Sequence, residues 1–443
     1  MAAIIKSGFV DSLKEYKKKL MSYIPYYYQS QYYRDYYEYL MNSRTFQNES
    51  FHIESLNKIL GHCYKNIPYY GDLFDSNQID PCLHSMEDFQ KIPFITKDII
   101  SNNIDKLVYK NGKCKIRKRT GGTTGLPMDF WTDKNDAIRE NAFVHYHWNK
   151  VGFDNKKNNR IVIMRGFIPK GGSFYEKNNN NLILSTFMLS YKTIDLYIEQ
   201  LNKFNPEFLH VYPSSLDLFV SLLKFSKHKL ELKELKGIFT SSETLNDYQR
   251  YNFEKEFKVQ VSDLYGHSEH CVFAIKNKNN KVYEIDHRYG FVELLRNRKS
   301  VMNKVDSTGD IVATSYHNYI MPLIRYKTGD KATSSGSSLG FINIQGREQD
   351  FFIDKDGINI PYICNDEAIW CIKDKIIAYQ YSQNKRGIIK LKLENISKIS
   401  TSDLKRVYDQ FCHIYPTLTL KIETECKIAR TDKGKFKYLV KNI

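Results

Sequence analysis

The spacing of apolar and polar residues predicts that strands and helices alternate through the middle of the chain. Short apolar runs bounded by polar residues are typical of buried strands, and each run here lies beside a stretch with helical spacing. These runs cover residues 160–164, 208–211, 237–239 and 259–264. The alternation predicts an α/β architecture.

The regions on either side carry different patterns. Helical spacing covers residues 52–100, interrupted by three prolines, and residues 136–150 predict a further helix. From residue 282 to 316 the spacing shifts towards strand, which predicts a β-rich subdomain. The Ser and Gly run at 332–339 predicts a loop exposed to solvent. A last unit, residues 350–443, has strand and helix patterns of its own.

A tyrosine-rich segment precedes these elements, and residues 1–50 are predicted to be helical. After Pro25, apolar or aromatic residues recur at helical spacing at positions 28, 32, 33, 36, 37 and 40. Such a stripe packs on the body of the protein, or it serves a membrane interface or partner surface, where amphipathic tyrosines are favoured. The scarcity of Lys and Arg beside the tyrosines favours packing.

Chain length and net charge add to what the residue spacing predicts. At 443 residues the chain is long enough for two or three units with their own cores. Its formal net charge of +16 would suit nucleic acid, an acidic membrane or a nucleotide substrate. The lysines are scattered, and arginine-rich arms, zinc-finger spacing and RNA-binding aromatic motifs are absent. We therefore attribute the charge to a compositional bias, together with a cleft for a nucleotide substrate, and expect no nucleic-acid partner.

The eight cysteines are widely spread without a C-x-x-C pair, which predicts reduced and mostly buried thiols. The first nine residues show no signal-peptide pattern, and there is no uninterrupted apolar run of about 18 residues. These features predict a cytoplasmic protein without a transmembrane segment.

The first candidate for chemistry is the loop at residues 120–127, with the sequence TGGTTGLP. Its glycines let the backbone approach an anion closely, and its hydroxyls add donors around phosphate oxygens. No G-K-[ST] follows and no G-x-G-x-x-G is present, so it is neither a Walker loop nor a dinucleotide fingerprint. By itself the loop predicts an anion-binding turn, and an ordinary hairpin turn is the alternative.

Four further segments follow in a fixed order. They are DLYGHSE at residues 263–269, PLIRYKTGD at 322–330, GREQD at 346–350 and RTDKGK at 430–435. Together with the loop they resemble the successive signature motifs of the adenylate-forming (ANL) superfamily of acyl-CoA synthetases and peptide-synthetase adenylation domains. Within it the chain resembles the phenylacetate-CoA ligase branch, and more closely its capsular polysaccharide relatives, the CapK-like proteins. Residues 65–70, 92–97 and 210–215 are similar to that branch's patterns, and the resemblance covers about residues 50–440.

The resemblance implies roles for named residues. The β- and γ-phosphates of ATP would be held by Thr120, Gly121, Gly122, Thr123, Thr124 and Gly125. The rest of the nucleotide would be bound by Ser242, Glu243, Tyr265, Gly266, Ser268, Asp330 and Arg347. In this set Ser242 and Glu243 line the adenine pocket, Tyr265 stacks on the base, and Asp330 accepts hydrogen bonds from the ribose hydroxyls.

The catalytic residues implied are Thr124, Glu269 and Lys435. Glu269 would bind Mg²⁺, and Lys435 would reach the developing negative charge from a mobile C-terminal domain. The implied fold is a large α/β domain of parallel sheets with a β-rich subdomain, over residues 1–349, followed by a small mobile α+β domain over 350–443. Asp350 would be the hinge. Taken singly, Asp330 and Asp350 could be ordinary turn acids, and Lys435 one solvated lysine among many.

Two departures from the family pattern matter. Met128 stands where many relatives carry a lysine after the loop proline. Phenylacetate ligases often have a Cys-x-Cys that belongs to a zinc site, whereas residues 334–338 read SSGSS, so no structural zinc is expected. His267, His270 and Cys271 lie close in sequence and are predicted to line a pocket or to pack.

The resulting expectation is an AMP-forming ligase that activates a small carboxylate with ATP and Mg²⁺. The substrate pocket would include His210, Tyr212, Ser241 and His267. The acid itself is not readable from the sequence, although a sugar acid or nucleotide sugar is a candidate, and the oligomeric state stays open. We expect an amine acceptor, giving an amide in surface polysaccharide or its precursors. The alternatives are coenzyme A as acceptor, or a non-catalytic descendant that binds a nucleotide or polyanion.

Overall fold

The computed structural model describes residues 21, 23–44, 48–119, 128–277, 281–347, 351–361, 367–429 and 438–442. The predicted phosphate loop, the hinge Asp350 and the catalytic Lys435 lie outside these residues.

The helices are α1 Tyr26–Gln29, α2 Gln31–Asn42, α3 Glu49–Asn66, α4 Pro68–Ser76, α5 Met86–Gln90, α6 Lys97–Asn102, α7 Ile104–Leu107, α8 Asp136–Asn149, α9 Ile194–Phe204, α10 Pro213–Leu222, α11 Asp247–Phe257, α12 Glu367–Trp370 and α13 Thr401–Ile414. The strands are β1 Ile116–Arg119, β2 Asp129–Thr132, β3 Ile161–Arg165, β4 Tyr175–Asn178, β5 Asn181–Ser185, β6 Phe208–Val211, β7 Gly237–Ser241, β8 Gln260–Gly266, β9 Phe273–Lys276, β10 Tyr283–Ile285, β11 Gly290–Arg296, β12 Lys299–Ser300, β13 Thr308–Ser315, β14 Tyr326–Ser334, β15 Gly340–Arg347, β16 Phe351–Ile353, β17 Asn359–Pro361, β18 Ile376–Lys385, β19 Ile388–Asn395, β20 Thr419–Glu423 and β21 Leu439–Lys441. The mixture confirms the predicted α/β class.

The chain forms two compact units. The first contains Met1–Tyr37, His145–Ser262 and Phe351–Ile443, and the second contains Glu38–Val144 and Asp263–Asp350. The second unit ends at Asp350, where the sequence predicts a domain boundary. The division into a large domain and a small mobile domain stays a prediction.

The first unit is built on a sheet in which β5, β3, β6 and β7 run parallel, with β4 antiparallel at one edge. Helices α9, α10 and α11 follow β5, β6 and β7 in sequence, as expected for parallel strands joined by crossover helices. One face of the strands carries Val162, Met164, Leu209, Val211 and Ile238, all buried in a core with residues of α9, α10 and α11. The strand runs predicted from the sequence are therefore confirmed.

The C-terminal part of the first unit has a second sheet, with the order β20-β19-β18-β21. Helix α13 begins with a capping box, in which Ser400 and Asp403 satisfy each other's backbone N–H groups. The helix buries Val407 and Phe411 in a core shared with these strands. The strands and helix predicted here from residue spacing are confirmed.

The second unit has an antiparallel sheet with the order β8-β9-β10-β15-β14-β13-β11-β12, in which β8 enters from the first unit at Asp263. Helices α3 to α7 contribute apolar residues to the core of this unit. The predicted β-rich subdomain is confirmed. The predicted loop at 332–339 is partly wrong, because Ala332 and Ser334 are fully buried in β14 and only residues 335–339 connect it to β15.

The tyrosine-rich segment forms two helices, because the extended backbone of Ser30 separates α1 from α2. Tyr33, Tyr37 and Leu40 are buried along α2, so packing is the confirmed use of this part of the stripe. Tyr28 is 54% exposed, which makes the buried stripe narrower than predicted. Among the described helices, none is both long and apolar enough to cross a membrane.

Candidate active site

The predicted site residues fall into three sets. The first unit holds His210, Tyr212, Ser241, Ser242 and Glu243, and the second holds Tyr265, Gly266, His267, Ser268, Glu269, Asp330 and Arg347. The residues outside the described ranges are Thr120, Gly121, Gly122, Thr123, Thr124, Gly125, Asp350 and Lys435.

Glu269 follows β8 and is the centre of the set in the second unit. Its side chain is buried, and its Oε1 accepts a 2.8 Å hydrogen bond from the hydroxyl of Tyr326. The ammonium of Lys97 lies 3.9 Å from the same oxygen, and Nδ1 of His267 lies 3.5 Å from Oε2. Tyr326 and Lys97 therefore hold Oε1 of Glu269 in place, and Oε2 faces His267.

The charge state of Glu269 follows from these neighbours. Burial raises the pKa of this carboxyl, but His267, Lys97 and the Tyr326 hydroxyl together outweigh burial and hold its pKa below the ordinary value. Burial and the nearby carboxylate raise the pKa of Tyr326. At neutral pH the pair is therefore an ionised carboxylate and a neutral phenol that donates to it.

His267 packs between two tyrosines of the same unit. Its ring centroid is 6.5 Å from that of Tyr265 and 6.2 Å from that of Tyr326. Both ring nitrogens are buried, and neither has a hydrogen-bond partner among the described residues. Burial lowers the pKa of His267. An imidazole without a hydrogen-bond partner on either nitrogen among the described residues, beside an ionised carboxylate, can form hydrogen bonds to a bound molecule.

Tyr265 and Asp330 form the second contact of this set. The Tyr265 hydroxyl donates to Oδ2 of Asp330 at 2.7 Å, and Asp330 lies opposite Arg347 in the pairing of β14 with β15. Asp330 is half-buried, and its second carboxylate oxygen can accept from a further donor. Gly266 and Ser268 are exposed beside it.

The set fits a magnesium nucleotide. Mg²⁺ in nucleotide sites is held by one or two carboxylates together with phosphate oxygens and water, rather than by an all-protein cage. Glu269 supplies one ionised, protein-held carboxylate, and the described residues contain no group of three or more side chains suited to hold a metal by themselves. Asp330 supplies acceptors of the kind that a pair of ribose hydroxyls requires.

The set in the first unit lies at the carboxyl ends of parallel strands, where open α/β sheets bind their ligands. His210 of β6 lies opposite Ile163 of β3 and Phe239 of β7. Its Nε2 is 3.3 Å from Oγ of Ser241, and its ring contacts Trp148 edge-on at 5.1 Å. Burial, with a smaller effect of Arg165, lowers the pKa of His210 to about 4, so the imidazole is neutral at physiological pH.

Glu243 has a structural partner in the first unit. Its carboxylate accepts hydrogen bonds from the backbone N–H of Ser214 at 2.9 Å and from the Ser214 hydroxyl at 3.0 Å, which caps the first turn of α10. Ser242, just before it, has a backbone φ of 71°, which residues other than glycine rarely adopt. A strained backbone of this kind is typical of positions fixed for ligand contact. Burial raises the pKa of Tyr212 beside this cluster.

Two residues of the Glu269 set were given no role from the sequence. Tyr326 lies in the segment at 322–330 and Lys97 in the segment at 92–97, so both were inside recognised patterns. Their proximity has a backbone cause, because Ile95 pairs with Tyr326 and its N–H and carbonyl bond to Arg325 and Lys327. This bridge carries α6, and with it Lys97, to the start of β14.

The chain was compared with known proteins. No family model matches it. It is 25% identical to Protein CapK of Staphylococcus aureus over 429 residues, which cover 93% of each chain. It is also 25% identical to the phenylacetate-coenzyme A ligase of Aromatoleum evansii over 345 residues, covering 74% of this chain and 76% of that protein. A crystal structure of 2-hydroxyisobutyryl-CoA ligase in the postadenylation state superposes with a TM-score of 0.69 over 89% of both chains at 16% identity, which shows a common fold.

Proposed function

We propose that this protein activates a carboxylic acid with ATP. The proposal follows from its place in the adenylate-forming superfamily, on the branch of CapK and the phenylacetate-CoA ligases. The enzyme is an AMP-forming ligase. In the first half-reaction an oxygen of the substrate carboxylate attacks the α-phosphorus of ATP, forming an acyl-AMP and releasing pyrophosphate. In the second, a nucleophile attacks the acyl carbon and AMP leaves.

The observation that carries this proposal is the protein-held, ionised carboxylate of Glu269. It is fixed by Tyr326 and Lys97 and lies beside the unsatisfied ring nitrogens of His267. When Mg²⁺ is bound there, it offsets the repulsion between the triphosphate and the incoming carboxylate. Asp330 accepts from the ribose hydroxyls, and the ring of Tyr265 is held beside the base by its hydrogen bond to Asp330.

The remaining roles are part of the same proposal. The backbone N–H groups and hydroxyls of residues 120–125 hold the β- and γ-phosphates, with Thr124 at the reacting end. Ser242 and Glu243 line the adenine pocket, and Arg347 lies beside the ribose. Lys435, on a small domain that turns about Asp350, stabilises the charge that develops during adenylation.

For the acceptor we favour an amine, which would give an amide in surface polysaccharide or its precursors. This choice follows the resemblance to capsular polysaccharide proteins, and the chain is 25% identical to Protein CapK over 93% of its length. Coenzyme A is the second candidate, and the similarity to three phenylacetate-coenzyme A ligases supports it equally well. Both acceptors require an acyl-AMP that is kept from water until the nucleophile arrives.

Product analysis tests the proposal. The purified protein is incubated with ATP, Mg²⁺ and a broad set of carboxylic acids, and then with hydroxylamine, amino sugars or coenzyme A. We expect AMP and pyrophosphate to form only when an acid is present. Release of ADP and phosphate, or no acid-dependent turnover of ATP across the set, would contradict the proposal. Efficient thioester formation with coenzyme A would decide against the amine.

A further inference from the structure

Arg165 ends β3 on the face of the sheet that carries the first unit's site residues. Successive residues of a strand point to opposite faces. Val162 and Met164 point into the core, so Ile163 and Arg165 point to the other face, together with His210 and Ser241. Arg165 therefore lies at the carboxyl edge of the parallel sheet, among residues expected to contact the substrate acid.

The guanidinium of Arg165 has no structural partner among the described residues. It is exposed, and no described residue forms a hydrogen bond or ion pair with it. Arg160, which precedes the same strand, is the contrast. Its Nε donates to the carbonyl of Asn205 at 2.9 Å, and its N–H donates to Glu207 at 3.0 Å. One arginine of this strand region is structural, and the other is left available.

In the part of the chain that the structure describes, no carboxylate forms an ion pair with Arg165. The nearby carboxylate of Glu243 already accepts two hydrogen bonds from Ser214. The positive charge acts on its neighbours, since it helps to lower the pKa of His210 and works against the burial that raises the pKa of Tyr212. Arg165 follows Met164 and Tyr212 follows Val211, and Met164 and Val211 are paired in the register of β3 with β6, so the two residues lie side by side at the carboxyl edge of the sheet.

We propose that Arg165 selects acids with a second anionic group, a carboxylate or a phosphate, which its guanidinium binds while the first carboxylate is adenylated. The inference rests on the proposed function. A guanidinium binds carboxylates and phosphates in two-pronged geometry, and such charge-assisted hydrogen bonds are stronger than neutral ones.

If Arg165 bound the reacting carboxylate itself, it would slow adenylation. Adenylation converts that carboxylate into a mixed anhydride and removes its charge. A cation that holds the charged substrate more tightly than the transition state opposes the reaction. A second anion keeps its charge throughout, so its contact with Arg165 stabilises substrate and transition state alike and favours the dianionic acid over its monoanionic counterpart.

The test uses pairs of acids that differ only in the second anionic group. The pairs are succinate and butyrate, glutarate and valerate, phthalate and benzoate, and 3-phosphoglycerate and glycerate. Acid-dependent ATP–pyrophosphate exchange gives kcat/KM for each acid. For the wild type we expect the acid with the second anionic group to be preferred by about 10-fold or more in at least one pair. A preference for the dicarboxylates indicates carboxylate recognition, and a preference for 3-phosphoglycerate indicates phosphate recognition.

In Arg165→Gln this preference should fall by about 10- to 100-fold through a higher KM for the acid, with an unchanged KM for ATP. Arg165→Lys should keep part of the preference for the second anionic group. Arg386→Gln, in the exposed turn between β18 and β19 of the same unit, is the charge-matched control and should keep the whole preference.

Three results would overturn the inference. They are an equal loss of kcat/KM in Arg165→Gln for both members of every pair, a raised KM for ATP in that variant, and a wild type that does not prefer acids with a second anionic group. A wild type that catalyses exchange only with monoanionic acids would overturn the inference and leave the proposed function intact. Absence of exchange with every acid, in this set and in the broad one, would count against the proposed function itself.

Discussion

The hydroxyl of Tyr326 donates a 2.8 Å hydrogen bond to Oε1 of Glu269, joining the first residue of β14 to the loop after β8. The two residues are 57 positions apart in the sequence, and both are buried. This contact fixes which carboxylate oxygen faces the protein and which faces His267.

Tyr326→Phe should lower kcat in the exchange assay by about 10-fold, because Glu269 loses the donor that orients it. The free energy of unfolding should fall by about 1–3 kcal/mol, since a buried acceptor loses its partner. Urea denaturation and exchange kinetics on the same preparation measure both effects.

Tyr316→Phe is the matched control, because the hydroxyl of Tyr316 makes a 2.7 Å hydrogen bond with His52 in the core of the same unit. It should cost similar stability and leave kcat within about 2-fold of the wild type. Equal losses of kcat in the two variants would show that Tyr326 acts only through folding.

Asp330→Asn should raise the KM for ATP by about 10-fold or more, because a carboxylate that accepts from two ribose hydroxyls is replaced by a group with one acceptor oxygen. Tyr265→Phe keeps the ring and loses only the 2.7 Å hydrogen bond to Asp330, so its effect should be smaller. The measurement is exchange at saturating acid with varied ATP. A larger effect for Tyr265→Phe, or an unchanged KM in Asp330→Asn, would contradict the roles proposed for the pair.

The strands and helices of the fold were predictable where their residue spacing is regular. The strands of the parallel sheet read as short apolar runs because both of their faces are covered. Leu209 and Ile238 lie in the core with the helices, and Phe239 is buried on the other face against Trp148. Residues 332–334 were predicted as loop, because Ser and Gly favour turns, yet all three pair with β15 in β14, and Ala332 and Ser334 are buried there. The tyrosine stripe was predicted too wide, since the break at Ser30 separates Tyr28 from α2.

The site was predictable only as separate segments. Glu269 and Asp330 stand out within recognisable motifs, whereas the partners that hold Glu269 come from distant parts of the chain. Lys97 reaches it through the backbone bridge between Ile95 and Tyr326, which no local pattern encodes. Arg165 belongs to none of the recognised motifs, and its proposed role follows only from the face of β3 on which it lies.

Stability should depend on pH through His145. Its ring is buried with Nδ1 2.8 Å from the hydroxyl of Tyr33, and burial lowers its pKa from 6.5 to about 3. In the unfolded chain His145 binds a proton below about pH 6.5, whereas in the folded chain it stays neutral down to about pH 3. The free energy of unfolding should therefore fall as pH decreases through this window, by up to about 1.4 kcal/mol per pH unit from this group.

Urea denaturation at pH 7, 6 and 5 measures the effect, and His145→Gln should flatten the dependence. His52, His210 and His317, whose pKa values are lowered to about 4 by burial, should maintain the rest of the slope. An identical slope in wild type and variant would mean that His145 is not buried as a neutral group.

Lys435→Ala should lower acid-dependent exchange by about 100-fold or more, because a cation aimed at developing charge in a dry site is worth several kcal/mol. Lys433→Ala, two residues away in the same segment, is the control and should retain activity. Unchanged adenylation in Lys435→Ala would remove this lysine from the catalytic residues.

The most direct test of adenylation is acid-dependent ATP–pyrophosphate exchange in the wild type and in Glu269→Gln, which keeps the shape of the side chain and removes its charge. We predict exchange in the wild type that requires both an acid and Mg²⁺, and a loss of about 100-fold or more in the variant, with its fold intact by circular dichroism. Exchange of equal rate in the two proteins would contradict the account.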